Sequence, residues 1–253
     1  MTSPSVEKYL AQAVVSNPAA TAQVSRWLRA GWSDFRHAPG IALLYGAGFA
    51  IVSWAVIGLL WITGLEWMLL PAVSGALMVG PLIAVGLYRI SATRLGRKVS
   101  SIAAPGQIAL LGGILMILLL TWIRAATIIY ALFFGLKPFP GFLETMQTLF
   151  LTVDGIALLV IGTLVGGLFA ALTFAITVYS IPMLVQHDID AFTAMGRSFS
   201  ASTHNLALTI RWGLAITVLA SIGFLTGMLG MIVIFPLLGF ATWHAYEDMF
   251  GAS

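Results

Sequence analysis

Long runs of apolar residues dominate the chain, and each is long enough to cross a bilayer as a helix. A membrane-spanning helix needs about 20 mostly apolar residues to cross roughly 30 Å of hydrocarbon. Within these runs apolar and polar residues do not alternate, so the strands of a membrane barrel are not expected. The pattern predicts an all-α, polytopic bundle of six transmembrane helices, at residues 41–62, 67–88, 107–134, 156–184, 206–227 and 228–246.

Two more polar segments carry apolar residues at helical spacing. In residues 24–37, Trp27 and Phe35 are interleaved with arginines and an aspartate, and residues 188–202 show a similar pattern. A helix with one apolar and one polar face can lie at the membrane surface or pack beneath the bundle, and both arrangements stay open. We predict two amphipathic helices here, both on the cytoplasmic side.

Proline-containing strings recur in the second, fourth and sixth spans. They read GPLIAVGLYR at 80–89, IPMLVQHD at 181–188 and FPLLGFATWH at 235–244. Such recurrence predicts three related helical hairpins. The chain therefore divides into an N-terminal segment with an amphipathic helix, residues 1–40, and a six-span membrane domain, residues 41–247.

The composition supports the membrane class and excludes two others. Of the 253 residues, 60% are hydrophobic and 8% are charged, whereas soluble domains carry about 25% charged residues. Intrinsic disorder requires low hydrophobicity and high charge, so it is excluded as well. The expected partner is the lipid bilayer. Because the chain has no cysteine, disulfides and thiolate metal sites are also excluded.

The distribution of lysine and arginine predicts the orientation in the membrane. Nine basic residues fall on the side of the N-terminus and only Lys137 on the other, with Arg124 and Arg211 inside spans. Since cytoplasmic loops carry the excess of basic residues, both termini are expected in the cytoplasm. This topology accounts for the basic loop 89–98, so nucleic-acid binding is not indicated. The nine residues are Lys8, Arg26, Arg29, Arg36, Arg89, Arg94, Arg97, Lys98 and Arg197.

The sequence points to no catalytic residue and no cofactor. It has no phosphate loop, zinc-protease, nucleophile-elbow or dinucleotide motif. All four histidines fall at predicted cytoplasmic helix ends, where they can hydrogen-bond or hold a metal. We expect His244 to hydrogen-bond in a cytoplasmic polar layer and to tie the last span to a surface helix. The residues predicted for this layer are Trp32, Asp34, His37, Tyr88, Asp188, Asp190, Asn205, His244 and Asp248.

Charged residues inside or beside spans are the other candidates. Arg124 lies within the third span, where a charge is costly unless it pairs or reaches the headgroups. Its expected partner is Asp154 or Glu144 on the periplasmic side. Arg211 lies about one turn inside the fifth span, within reach of the cytoplasmic headgroups.

Four segments resemble one bacterial family of integral membrane proteins that is catalogued as a domain of unknown function. They read RWLRAGWSDFRHAPGIALLYG at 26–46, GPLIAVGLYRIS at 80–91, IPMLVQHDIDAFTAM at 181–195 and FPLLGFATWHAYEDM at 235–249. The resemblance covers nearly the whole chain and implies an inner-membrane protein with no established activity.

Some members of that family carry the label of a cytochrome c oxidase subunit. Oxidase catalytic subunits need several haem and copper histidines within spans, and here the four histidines are peripheral. The family often reads GHATWHAYRD where this chain has Phe240 and Glu247 in place of the histidine and the arginine. His244 is therefore the only candidate ligand that the resemblance carries over.

Three functions remain open at this point. The first is a membrane protein without a catalytic site, acting as a scaffold, assembly factor or accessory subunit. The second is a channel or transporter for a small solute, for which prolines would break the helices at mid-membrane. The third is a metal- or haem-binding subunit that uses the cytoplasmic histidines. A GxxxG stretch, Gly162–Gly166, fits a homo-oligomer or close packing within one chain.

Overall fold

A computed structural model describes residues 20–97, 102–135 and 141–251. Within these ranges the structure is all-helical, with 87% of the described residues in helices and no strand. Lys8, Lys98 and Lys137, which bear on the predicted orientation, lie outside them. The helices are α1 Ala20–His37, α2 Pro39–Ile62, α3 Leu69–Ile83, α4 Val85–Arg94, α5 Pro105–Phe134, α6 Phe142–Leu151, α7 Val153–Thr177, α8 Ser180–Gln186, α9 Ala191–His204, α10 Leu206–Leu225 and α11 Met231–Phe250.

Within the described ranges, four helical stretches are long and apolar enough to cross a membrane. They are Pro39–Ile62, Pro105–Phe134, Val153–Gln186 and Leu206–Leu225. The first, third, fourth and fifth predicted spans correspond to these stretches, but the count of six is not confirmed. The second predicted span is broken in two, and the sixth, α11, is more polar over its second half.

Prolines lie close to the points where two predicted spans break. The second span ends as α3 at Ile83, shortly after Pro81, and resumes as α4 at Val85. The fourth span is interrupted at Val178 and Tyr179, before Pro182 in α8. A proline ring clashes with the carbonyl of the residue four positions earlier, which for Pro182 is Val178, at the break. Pro81 lies inside α3 itself, and the break at Ala84 comes after it.

Side chains and prolines also set the helix starts. Pro39 and Pro105 occupy the first turns of α2 and α5, where a missing N–H costs nothing. Asp190 caps α9 by accepting the Thr193 N–H at 2.8 Å, and Thr152 caps α7 by accepting the Gly155 N–H at 3.0 Å. The short helix α6 was not predicted, because its ten residues are too few to give a span signal.

Helix α11 lies at the centre of the fold. It packs against α1, α2, α4 and α10, and eleven of its twenty residues are buried. The two predicted amphipathic segments correspond to α1 and α9. Helix α1 packs on α11 and α10, and α9 packs on α7 and α8, so both bury one face against other helices of the chain. The end of α11 thus meets α1 and α4, where the polar residues gather.

Candidate functional site

A glycine lets α1 lie directly on α11. A Cβ atom at Gly31 would come within 2.8 Å of the Ala241 backbone nitrogen, so only glycine permits this close approach. On one side of Gly31 the indole of Trp27 is buried, 5.7 Å from the ring of Trp212 and edge-on to it. On the other side is Asp34, which is 2% exposed. The packing therefore presents an aspartate to the interior.

Asp34 is the centre of a buried hydrogen-bond network. Its carboxylate accepts the Ser91 hydroxyl and the Arg94 guanidinium of α4. It also lies 2.8 Å from the His244 Nε2 of α11. Arg94 donates a further bond, of 2.9 Å, to the Ser33 hydroxyl. We call Asp34, Ser91, Arg94 and His244 the Asp34 network; it joins three helices that are distant in sequence.

The network keeps Asp34 ionised. Burial alone would raise the pKa of this carboxyl, but hydrogen bonds from His244, Ser91 and Arg94 outweigh it and hold the pKa below the ordinary value of 3.8. An ionised carboxylate can only accept hydrogen bonds. His244 must therefore carry a hydrogen on Nε2, and its Nδ1 is the nitrogen left for other partners.

Two ion pairs flank the Asp34 network at the end of α11. Arg97 donates to both oxygens of Glu247, at 3.1 and 2.7 Å, and to the Gly251 carbonyl at 2.7 Å. Asp248 accepts the Trp27 indole N–H at 2.8 Å and the Arg26 guanidinium at 3.3 Å. These contacts fix the last turn of α11 against α1 and against the segment that follows α4.

A cleft of about 460 Å³ opens between these groups. Its walls are mostly charged side chains held in pairs, with one indole and two aliphatic side chains. It is lined by Arg26, Trp27, Ala30, Leu95, Arg97, His244, Glu247 and Asp248.

The structure brings only part of the predicted polar layer together. Asp34 and His244 are hydrogen-bonded to each other, and Asp248 lies one turn of α11 beyond His244. The expected link from the last helix to α1 through His244 is thus present. Tyr88 is buried beside Trp243, with ring centroids 6.4 Å apart. The others lie elsewhere: Trp32 stacks on Phe35, and the Asn205 amide donates to the Ala201 carbonyl. His37 and Asp188 are exposed without a hydrogen bond to a described residue, and Asp190 caps α9. Among the described residues, no three His, Asp or Glu side chains are placed to hold a metal ion.

The expected ion pair of Arg124 is not formed. Arg124, Glu144 and Asp154 are all exposed, and no salt bridge between described residues joins them. The reason is depth. Trp122 of α5 lies against Gly166 of α7, and Asp154 precedes Gly166 by twelve residues. At 1.5 Å per residue, Asp154 lies about 18 Å along α7 from this contact and Arg124 about 3 Å along α5 in the same direction. Arg124 and Asp154 are therefore about 15 Å apart along the bundle.

The serine and arginine partners of Asp34 and of the α11 acids were not predicted. Ser91, Arg94 and Arg97 appeared in the sequence as parts of a basic loop that set the topology, and Glu247 appeared as a departure from the family pattern. Arg211, predicted to reach the headgroups, is exposed on α10 five residues after its start. The distribution of basic residues along a sequence predicts the side of the membrane on which each one lies. It does not predict the acid with which each one pairs.

Comparison with known proteins agrees with the resemblance seen in the sequence. No curated protein and no solved structure matches the chain. A family model described as "Predicted integral membrane protein (DUF2189)" matches residues 69–186, from α3 to α8. The resemblance is therefore confirmed over these residues: through them the chain is similar to the DUF2189 family of predicted integral membrane proteins.

Proposed function

We propose that this protein is a non-catalytic, multi-pass protein of the bacterial inner membrane that serves as a scaffold, assembly factor or accessory subunit. The observation that supports this most is the tight packing around α11. A Cβ atom at Gly46 of α2 would overlap the Ile232 carbonyl, and the rings of Phe49 and Phe235 stack at 4.5 Å. Backbones in contact leave no path for a solute between α2 and α11.

The helix breaks, which would favour transport, are filled by side chains. Leu87 and Tyr88 follow the break at Ala84, and Ile181 and Leu184 follow the break at Tyr179; all four are at most 1% exposed. Transport through broken helices requires a water-lined cavity at the break. The breaks here support a compact junction of helices.

Six membrane crossings fit the contacts between helix ends. Arg94, at the end of α4, meets Asp34 just before the start of α2. At the start of α5 the Ala104 N–H donates to the Leu184 carbonyl of α8 at 3.1 Å, so α5 starts where α8 ends. The spans α2 and α5 are therefore each followed by helices that return to the side on which the span began. For α10 and α11, Trp27 contacts both Trp212 near the start of α10 and Asp248 at the end of α11. These helices form three hairpins, α2 with α3–α4, α5 with α7–α8, and α10 with α11, within the membrane domain 41–247.

Reporter fusions test this topology. We expect a fusion after Gly96 to read cytoplasmic and one after Gly135 to read periplasmic, because these residues end a returning arm and an outgoing span. Both positions are exposed, which makes a fusion there tolerable. The reverse pattern would overturn the orientation, and the same reading at both sites would overturn the crossing of α5.

Native purification tests the accessory role. From its own membranes in a mild detergent, we expect the full-length protein to bring down one partner protein in stoichiometric amount. If vesicles that contain this protein alone take up a solute, the accessory role is wrong and the protein is a transporter. If the purified protein carries a stoichiometric metal or a visible chromophore and no partner protein, the accessory role is wrong and the metal- or haem-binding role is supported.

A further inference from the structure

The face that carries the cleft has an excess of positive charge. Helix α1, the segment 85–97 and helix α11 hold six arginines against three acids, a formal excess of three. Helix α9 and the residues before it add Arg197, Asp188 and Asp190, which leaves a formal excess of two. The cleft itself is lined by two of these arginines and two of these acids, so the excess comes from the residues around it, and such a positive surface attracts anions. The six arginines are Arg26, Arg29, Arg36, Arg89, Arg94 and Arg97, and the acids are Asp34, Glu247 and Asp248.

Arg26 is available to a ligand. Its single contact with Asp248 is 3.3 Å long, and the two side chains are 56% and 39% exposed. An ion pair this open contributes little to stability. Asp248 also accepts the shorter bond from Trp27, so it keeps a partner when Arg26 turns away. Most of the N–H donors of Arg26 make no hydrogen bond with a described residue.

Arg97 and His244 complete a set of donors around the cleft. Glu247 and Gly251 hold Nε and Nη2 of Arg97, while its Nη1 makes no hydrogen bond with a described residue. His244 is fixed through Nε2 by Asp34, which leaves Nδ1 without a hydrogen bond to the described chain. A protonated phosphate oxygen can donate to this nitrogen, and guanidinium groups bind phosphate oxygens through paired N–H bonds.

From these groups we propose that the cleft binds a phosphate group, with Arg26 and Arg97 as the cationic contacts and His244 Nδ1 as the hydrogen-bond partner. The phosphate belongs either to a lipid headgroup or to a free phosphate compound. The headgroup source is favoured by position. Trp27, which lines the cleft, packs against Trp212. Trp212 lies six residues, or about 9 Å, from the start of the candidate span α10, so the cleft lies near the end of a span, where headgroups are found.

Calorimetric titration of the full-length protein in a phosphate-free, nonionic detergent tests the site. The probes are inorganic phosphate and a short-chain phosphatidic acid, titrated separately. Arg26→Gln removes a charge-assisted contact and should raise the Kd of the bound probe about tenfold. Arg29→Gln is the matched control, because Arg29 is exposed on the same helix but does not line the cleft; its Kd should stay within about twofold of wild type. Arg26→Lys keeps the charge but loses the paired N–H donors of the guanidinium. Its Kd should lie between those of Arg26→Gln and Arg29→Gln.

The two probes separate the two sources. Tighter binding of phosphatidic acid than of inorganic phosphate, weakened by Arg26→Gln, assigns the cleft to a lipid headgroup. The opposite order assigns it to a free phosphate compound. Saturable binding of neither probe overturns the proposal. Equal weakening by Arg26→Gln and Arg29→Gln also overturns it, since general attraction by the basic face would then explain the binding.

Discussion

Replacing Gly46 by alanine is expected to lower the stability of the whole bundle. A Cβ atom at this position would overlap the Ile232 carbonyl and lie 2.7 Å from the Ile232 Cα. Backbone atoms of a helix cannot move aside as a flexible side chain can, so α2 and α11 must separate. Overpacking of this kind costs about 3 kcal/mol. We expect the apparent Tm in detergent to fall by about 6–12 °C, measured by tryptophan fluorescence.

Gly48→Ala is the matched control for this prediction. It makes the same change two residues later on α2, where an added Cβ meets no atom within 4 Å. Alanine is a better helix former than glycine by about 1 kcal/mol, so Gly48→Ala should leave the Tm unchanged or raise it slightly. If Gly46→Ala and Gly48→Ala behave alike, the close contact of α2 with α11 is wrong, and with it the main support for the accessory role.

The sequence allowed prediction of the membrane class because twenty-residue apolar runs report burial in lipid directly. It also allowed prediction of the link through His244, since a histidine at the end of an apolar helix needs a polar partner nearby. The break at Ala84 was not predicted, although Pro81 was visible. Proline is common in membrane helices that stay continuous, so its effect depends on neighbours that the sequence does not show.

Pairing between charges could not be predicted from the side of the membrane to which each charge was assigned. Arg124 and Asp154 were matched because both were assigned to one side, yet the level of Trp122 against Gly166 sets them far apart along the helices. Arg94 was assigned to the cytoplasmic side, but Asp34, sixty residues away in the sequence, was not predicted as its partner. A partner depends on the depth and rotation of two helices, and neither quantity is encoded in a local pattern.

Asp34→Asn is expected to destabilise the junction of α1, α4 and α11. The change leaves Arg94 and His244 without their carboxylate in a site where Asp34 is nearly fully buried. Removing one member of a buried charged pair costs about 3 kcal/mol, at the lower end of the range because Arg94 remains partly exposed. The apparent Tm near neutral pH should fall by about 6–12 °C. Asp188→Asn, an identical change at an exposed carboxyl, should have almost no effect.

The pH dependence of the Tm separates the contribution of the Asp34 charge from that of its packing. The pKa of this carboxyl is lower in the folded protein than its ordinary value of 3.8, so the unfolded chain takes up its proton first as the pH falls. The stabilisation by the ionised Asp34 carboxylate is complete at pH values above its ordinary pKa of 3.8. It is lost as the pH falls from there through the lower pKa of the folded protein. Between about pH 5 and pH 3 the wild-type Tm should therefore approach that of Asp34→Asn. A constant difference between the two over this range would show that Asp34 acts through packing, with no contribution from its charge.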